Sequence, residues 1–258
     1  MKYKDFEGNI EELVKLKLDE IEKKENIKIL HAVESGSRAW GFASPDSDYD
    51  VRFIYVQQKE FYLSLEDTKD FIDWELNETL DINGWDLNKA LRLFHKSNAT
   101  LFEWANSPIV YRTTPEWEKL YKIAEKYFST KAVMYHYYGT AKSNYYEFLQ
   151  GDNVKYKKYF YVIRPLLACK WIEERQCPPP VLFETLMNTM LDSKMKDVID
   201  ELLEIKATMK ESDKGKRIEK LNQYIEDRIV YYKDTIAKRV DDRNTDWREL
   251  NKIFISYI

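Results

Sequence analysis

The chain has 258 residues, 33% of them charged, and a formal net charge of -4. That length buries a substantial core in one large or two modest domains. The slightly acidic balance excludes a global basic field for tracking nucleic acid, though not a local basic groove. Cys169 and Cys177 are the only cysteines, too few for a disulfide framework or a cysteine-based zinc site, which fits a reducing cytoplasm. The first residues, MKYKDFEGNIEELVKLKL, lack the apolar core of a signal peptide, and no apolar run approaches the roughly 20 residues of a membrane span.

Ile10, Leu13, Val14, Leu18 and Ile21 recur at helical spacing and predict an amphipathic first helix. Ile27–Val33 (IKILHAV) reads as a strand apolar enough to be central in a sheet. After a glycine break, Tyr49–Val56 predicts a second strand, rich in β-branched and aromatic residues. Asp70–Gly84 predicts a hairpin turning at Asn77-Glu78, with a second strand carrying Thr79–Ile82 and ended by Gly84. Asp86 is placed to cap a helix through Leu87, Ala90, Leu91 and Phe94.

Beyond Pro108 the strand signals stop. Helices are expected from Pro115, over Lys131–Gln150, and over Lys155–Glu174 with a kink at Pro165. Pro178-Pro179-Pro180 punctuates the helical region, and Ile218, Leu221, Ile225 and Ile229 form a later apolar face. The charged stretch Lys206–Lys220 reads as a solvated face or turn. The fold class is therefore α+β: a first domain over 1–112 with a mixed or antiparallel sheet, followed by a helical domain over 113–258. The expected site is the cleft between them.

The densest chemistry lies in His31–Val56. Gly36 lets an anion approach the main chain, and Ser37 adds a hydroxyl and an N–H at the start of a short helix, RAWGFA. Asp48 and Asp50 are two apart on a strand, so their side chains point the same way. Two such carboxylates repel unless a cation lies between them, and hard oxygen ligands suit Mg²⁺ or Mn²⁺. A two-metal site, with cations about 3.5–4 Å apart, needs a further carboxylate. Asp81 is favoured for its place inside the apolar strand TLDI, where an unpaired charge is costly; Asp73 and Asp86 are rivals, Asp86 being better explained as a helix cap. Taken alone, PDSD is an ordinary surface turn. Gly36-Ser37, ten intervening residues, then Asp48-x-Asp50 on a strand is far more specific.

On helical spacing, Lys157, Tyr161 and Arg164 share a face with Lys158 adjacent, a cationic wall for a triphosphate or nucleic-acid backbone with Tyr161 available for stacking. The competing reading is a solvated lysine face. Arg38 beside the phosphate turn and Lys89 in the first turn of its helix are further nucleotide-binding candidates. Tyr135, Tyr137, Tyr138, Tyr145 and Tyr146 read as helix–helix packing, His31 as a satisfied buried imidazole and Cys169 as buried packing.

GSRAWGFASPDSDYDVRFIYV resembles the signature of the DNA polymerase β superfamily of nucleotidyltransferases. Together with LDINGWDLNKALRLFHKSNATLFEWANSPIVY and KKYFYVIRPLLACKWIEERQCPPP, it is similar to the branch associated with RNA-repair pathways and RNA ligases. These pieces span Gly36 to Pro180 and leave the C-terminal part uncovered. Ala99 departs from the pattern, since relatives usually carry proline there. The resemblance implies a polymerase-β-like palm, Asp48 and Asp50 as metal ligands, and Asp81 as the third carboxylate and a possible general base. It also implies Gly36 and Ser37 on the β- and γ-phosphates of a nucleoside triphosphate. The implied reaction is metal-dependent nucleotidyl transfer to an acceptor hydroxyl with loss of pyrophosphate. RNA ends are the favoured acceptors. AMP transfer to a protein side chain or small molecule, or a silent nucleotide-binding regulator, are the alternatives.

Overall fold

The computed structural model describes residues 9–44, 47–76, 79–208 and 213–258. The chain divides into two units. The first combines residues 1–39, 48–127 and 244–258; the second combines 40–47 and 128–243.

The first unit begins with α1 (Ile10–Glu25). Asn9 caps it by accepting from the Glu12 N–H at 2.9 Å, while the Glu12 carboxylate accepts from the Asn9 N–H in return. Asn26, in the left-handed region at φ 52°, ends it. β1 (Lys28–Glu34), the short helix α2 (Gly36–Ala39) and β2 (Tyr49–Val56) follow. Next come α3 (Lys59–Tyr62), β3 (Phe71–Leu76) and β4 (Leu80–Asp86). α4 (Leu87–His95), α5 (Ala99–Ala105), β5 (Val110–Thr113) and α6 (Pro115–Ala124) complete this part of the unit.

The five strands form a mixed sheet in the order β3-β4-β2-β1-β5. β2 and β4 run parallel, and the other neighbours run antiparallel. Leu13, Val14, Leu18 and Ile21 of α1 bury themselves in one cluster with Ile29, Val51, Phe53, Tyr55, Leu80 and Ile82. The period-2 alternation of β2 thus commits Val51, Phe53 and Tyr55 to that core, and Asp50 and Arg52 to the opposite side of the sheet.

Several sequence expectations change. β5 lies beyond Pro108, where strand signals had stopped; four residues are too few to show a period, and pairing with β1 makes the strand. Gly84 lies inside β4 rather than ending it, because the Phe53 ring occupies the space a side chain there would need. The short helix covers Gly36–Ala39, not RAWGFA, since Trp40 and Phe42 leave to pack with Tyr161, Phe160 and Phe183 of the second unit. The turn expected at Asn77-Glu78 lies outside the described residues. Asp86 does cap α4, accepting from the Asn88 N–H at 2.7 Å.

The second unit holds α7 (Thr130–Phe148), β6 (Asn153–Lys155), α8 (Lys157–Arg175), α9 (Phe183–Met190), α10 (Ser193–Thr208), β7 (Lys214–Lys216) and α11 (Glu219–Lys238). α8 continues as helix through Pro165. The helical assignment therefore omits a two-stranded ribbon, β6–β7, whose three-residue strands carry no periodic signal. Tyr137, Tyr138 and Tyr145 are buried and Tyr135 and Tyr146 exposed, so the tyrosine series is only partly packing. Cys169 is fully buried and Cys177 exposed. α12 (Arg248–Ile255) returns to the first unit, where Phe254 meets Tyr62. No helix among the described residues is long and apolar enough to cross a membrane.

Candidate functional site

The parallel register of β2 and β4 sets Asp50 opposite Asp81. Paired residues of neighbouring strands share a sheet face, so the two carboxylates stand side by side, away from the α1 core. Such a pair is unstable by itself. Arg52, two residues beyond Asp50 and therefore on the same face, supplies the cation: its Nη2 lies 3.0 Å from Asp50 Oδ1 and 2.7 Å from Asp81 Oδ2. Its Nη1 donates to the carbonyls of Val51 and Asp81, both at 3.0 Å. Sequence reasoning missed Arg52. Its i+2 spacing from Asp50 was the available signal.

Asp81 alone among the three carboxylates weighed for that place lies in register with Asp50. Asp73 accepts from the Asn83 side chain on the sheet's edge strand. Asp86 is 2% exposed, accepts from Tyr62 Oη at 2.7 Å as well as from its helix, and is pushed above the usual carboxylate range by burial. Asp48 precedes β2 and is exposed.

Gly36 takes φ +61°, and a Cβ there would overlap Asp50 Oδ2. The glycine is required both by the backbone angle and by the approach of the turn to the carboxylate. Glu34, at the end of β1, holds this turn from below. It is 1% exposed, and its Oε1 accepts from the Asp50 N–H at 2.8 Å while its Oε2 accepts from Tyr111 Oη at 2.5 Å. Burial raises the Glu34 carboxyl against the opposing effect of those two bonds. Burial and the neighbouring Glu34 push the Tyr111 phenol up in turn. The Ser35 N–H donates to the Asp50 carbonyl at 2.8 Å, so Asp50 is tied on both sides of its backbone.

Ser37 is buried. Arg38 donates through Nε to the Asp48 carbonyl at 3.0 Å and lies 3.6 Å over the Tyr49 ring, which tethers the start of β2 beside the carboxylates. Lys89 is not brought to this group. It pairs with Asp70 at 2.8 Å, beside Phe71 and Trp85 at the other end of β4.

Lys157, Lys158, Tyr161 and Arg164 lie on α8 of the second unit. Lys157 and Lys158 place their ammonium groups 5.5 and 5.2 Å from the Tyr161 ring. Arg164 is 3% exposed; its Nε donates to the Val181 carbonyl at 3.2 Å and its guanidinium lies 4.6 Å over Trp40. That environment packs and fixes the side chain.

Among the described residues, no group of three or more His, Cys, Asp or Glu is gathered closely enough to hold a metal ion. The Asp50–Asp81 pair nevertheless fits a hard divalent cation. Its donors are oxygen only, and a guanidinium already bridges the two carboxylates. Binding there requires that guanidinium to yield.

The chain is 44% identical over 245 residues to "Uncharacterized protein YcgL" of Bacillus subtilis (strain 168), a match covering 93% of this chain and 94% of the relative. Among solved structures, a nucleotidyltransferase-like protein from Exiguobacterium sibiricum 255-15 overlaps 87% of this chain and 74% of its own, at 12% identity and a TM-score of 0.31. The family model described as RNA repair pathway DNA polymerase beta family matches residues 10–256. The chain belongs to that family of polymerase-β-like nucleotidyltransferases.

Proposed function

We propose that this protein transfers a nucleoside monophosphate from a nucleoside triphosphate to an acceptor hydroxyl, with release of pyrophosphate, and that the acceptor is an RNA end. The observation that carries the proposal is the Asp50–Asp81 register beside a glycine turn that admits no side chain. The family's description supports the RNA context.

Asp50 and Asp81, with Asp48 at the mouth of β2, are the groups that would hold Mg²⁺ or Mn²⁺. Such an ion supplies Lewis-acid stabilisation of charge on the transferring phosphoryl group. The other roles belong to the chain. Gly36 lets the triphosphate approach the main chain, and Ser37 offers a hydroxyl and an N–H to its β- and γ-phosphates. Arg38 holds the Asp48 end of β2 in place. The acceptor oxygen attacks the α-phosphorus in line, the bond from α-phosphorus to the bridging oxygen breaks, and pyrophosphate leaves with that electron pair. An Asp81 oxygen takes the acceptor's proton. Glu34 keeps Asp50 aligned through the backbone.

Incubation with α-labelled nucleoside triphosphates, Mg²⁺ and a panel of RNA, protein and small-molecule acceptors tests the proposal. Label on RNA ends is the expected result. Label on protein or small molecule would redirect the acceptor, and nucleotide binding with no transfer to any acceptor would overturn the reading.

A further inference from the structure

The β6–β7 ribbon of the second unit carries an arrangement that folding alone does not favour. Its register pairs Asn153 with Lys216, Val154 with Gly215 and Lys155 with Lys214. Val154 is 1% exposed, and Tyr156 covers Gly215: its ring fills the space a side chain there would need, and its hydroxyl donates to the Lys216 carbonyl at 3.1 Å. One side of the ribbon therefore faces inward. The alternation of side chains then sends Lys155, Lys214 and Lys216 together to the outer side, where all three are exposed.

Like charges directly opposite one another on antiparallel strands destabilise the pairing, and an isolated two-stranded ribbon has little stability to spare. Among the described residues, none of the three lysines forms an ion pair with a carboxylate. Arg217, the next residue, is by contrast held by Glu219 at 2.9 Å. The field extends onto the first turn of α8. Lys158 is held below the usual lysine range by burial, with Lys157 and Lys155 adding repulsion and Glu147 opposing it. Asp152 and Asp213 flank the ribbon in sequence. Lys214 and Lys216 stand about 6.6 Å apart along the strand, and Lys155 faces one of them, so the positive charge is spread over more than a single phosphate.

We propose that the outer face of β6–β7, through Lys155, Lys214 and Lys216, binds the phosphate backbone of an RNA strand without reading its bases. The choice of RNA as the polyanion rests on the acceptor proposed above. The ribbon itself points to a ligand that is extended, anionic and able to neutralise lysines that repel one another.

The test is fluorescence anisotropy with a labelled single-stranded RNA of about a dozen nucleotides, in EDTA and without nucleoside triphosphate. In the Lys155→Gln/Lys214→Gln protein, affinity at low salt is expected to fall about tenfold. The slope of log affinity against log salt should shrink by about 1.4, at about 0.7 per phosphate contact. Lys214→Glu should also weaken binding while leaving the melting temperature unchanged or raised, since it replaces a repelling pair with an attracting one. If a variant melts early, Lys155→Arg/Lys214→Arg decides the matter, because it must keep wild-type affinity. Unchanged affinity and slope in the Gln variant overturn the proposal, as does weaker binding in the Arg variant or strong dependence on RNA sequence. Failure here with intact transfer to RNA ends removes only the ribbon; RNA binding without transfer to any acceptor removes the activity and leaves the ribbon standing.

Discussion

In the sheet unit, Glu34, Asp50, Arg52 and Asp81 come from β1, β2 and β4 and are wired to one another across strands. In the helical unit, Arg164 and Asn222 are buried more deeply than Asp50, Arg52 and Asp81, and each donates to a main-chain carbonyl, those of Val181 and Leu149. The two arrangements differ in what they leave available. The first holds ionised oxygens together on a sheet face; the second spends its donors on backbone. Strand register can concentrate like charges that no single segment would tolerate, whereas helix packing disperses them. The proposed transfer chemistry belongs to the sheet unit, whereas Arg164 is buried against Trp40 and bonded to Val181.

The largest effect is expected at the carboxylates. Asp50→Asn or Asp48→Asn should lower transfer by about a thousandfold or more, a loss of several kcal/mol at the transition state. The fold should persist in chemical denaturation, since Asp48 is exposed and Arg52 keeps Asp81 as a partner when Asp50 loses its charge. Wild-type transfer in both variants would break the assignment.

Arg164→Met should act the opposite way. Losing the bond to Val181 and the Trp40 stack should cost about 2–4 kcal/mol of stability, read by denaturation, with little change in nucleotide affinity. A large loss of nucleotide binding at full stability would return Arg164 to the ligand.

Acid sharpens the contrast further. His31 is 4% exposed, stacks on Trp117 at 4.5 Å, and contacts Thr113 Oγ1 and the Trp104 carbonyl. Burial lowers its pKa from 6.5 to about 4. The neutral ring therefore stabilises the folded state fully above pH 6.5, and that stability is lost as pH falls from 6.5 through about 4. The expected loss is up to about 3 kcal/mol, confined to the sheet unit in hydrogen exchange. His31→Gln should flatten this part of the stability profile. An unaltered slope would assign the acid sensitivity elsewhere.

The smallest effect concerns Arg52. Because its guanidinium bridges Asp50 and Asp81, Arg52→Gln should tighten Mn²⁺ binding about tenfold, or about 1.4 kcal/mol, measured by titration calorimetry without nucleotide. Weaker binding would mean that Arg52 positions the pair for the ion.

Much was legible in the chain itself. The α1 stripe, the β2 alternation, the Asp86 cap and the glycine turn are all local: each rests on a period or a backbone preference contained within a few residues. The α+β class and the family resemblance followed from them. What escaped depends on residues distant in sequence. The sequence favoured Asp81 over two rivals, but only the pairing of β4 with β2 sets it opposite Asp50, and a one-residue slip would have turned it away. Arg52 looked like an ordinary strand residue until two carboxylates 31 positions apart in sequence lay within its reach. Arg164 kept its helical spacing from Lys157, but its burial was set by Trp40 and Val181, which no helical period encodes. Sequence determined the longer periodic elements and which of them carry charge, while β5 and the β6–β7 ribbon arose only through pairing. Tertiary structure decided which charges meet, because an electrostatic contact depends on distance through space, and only packing sets that distance.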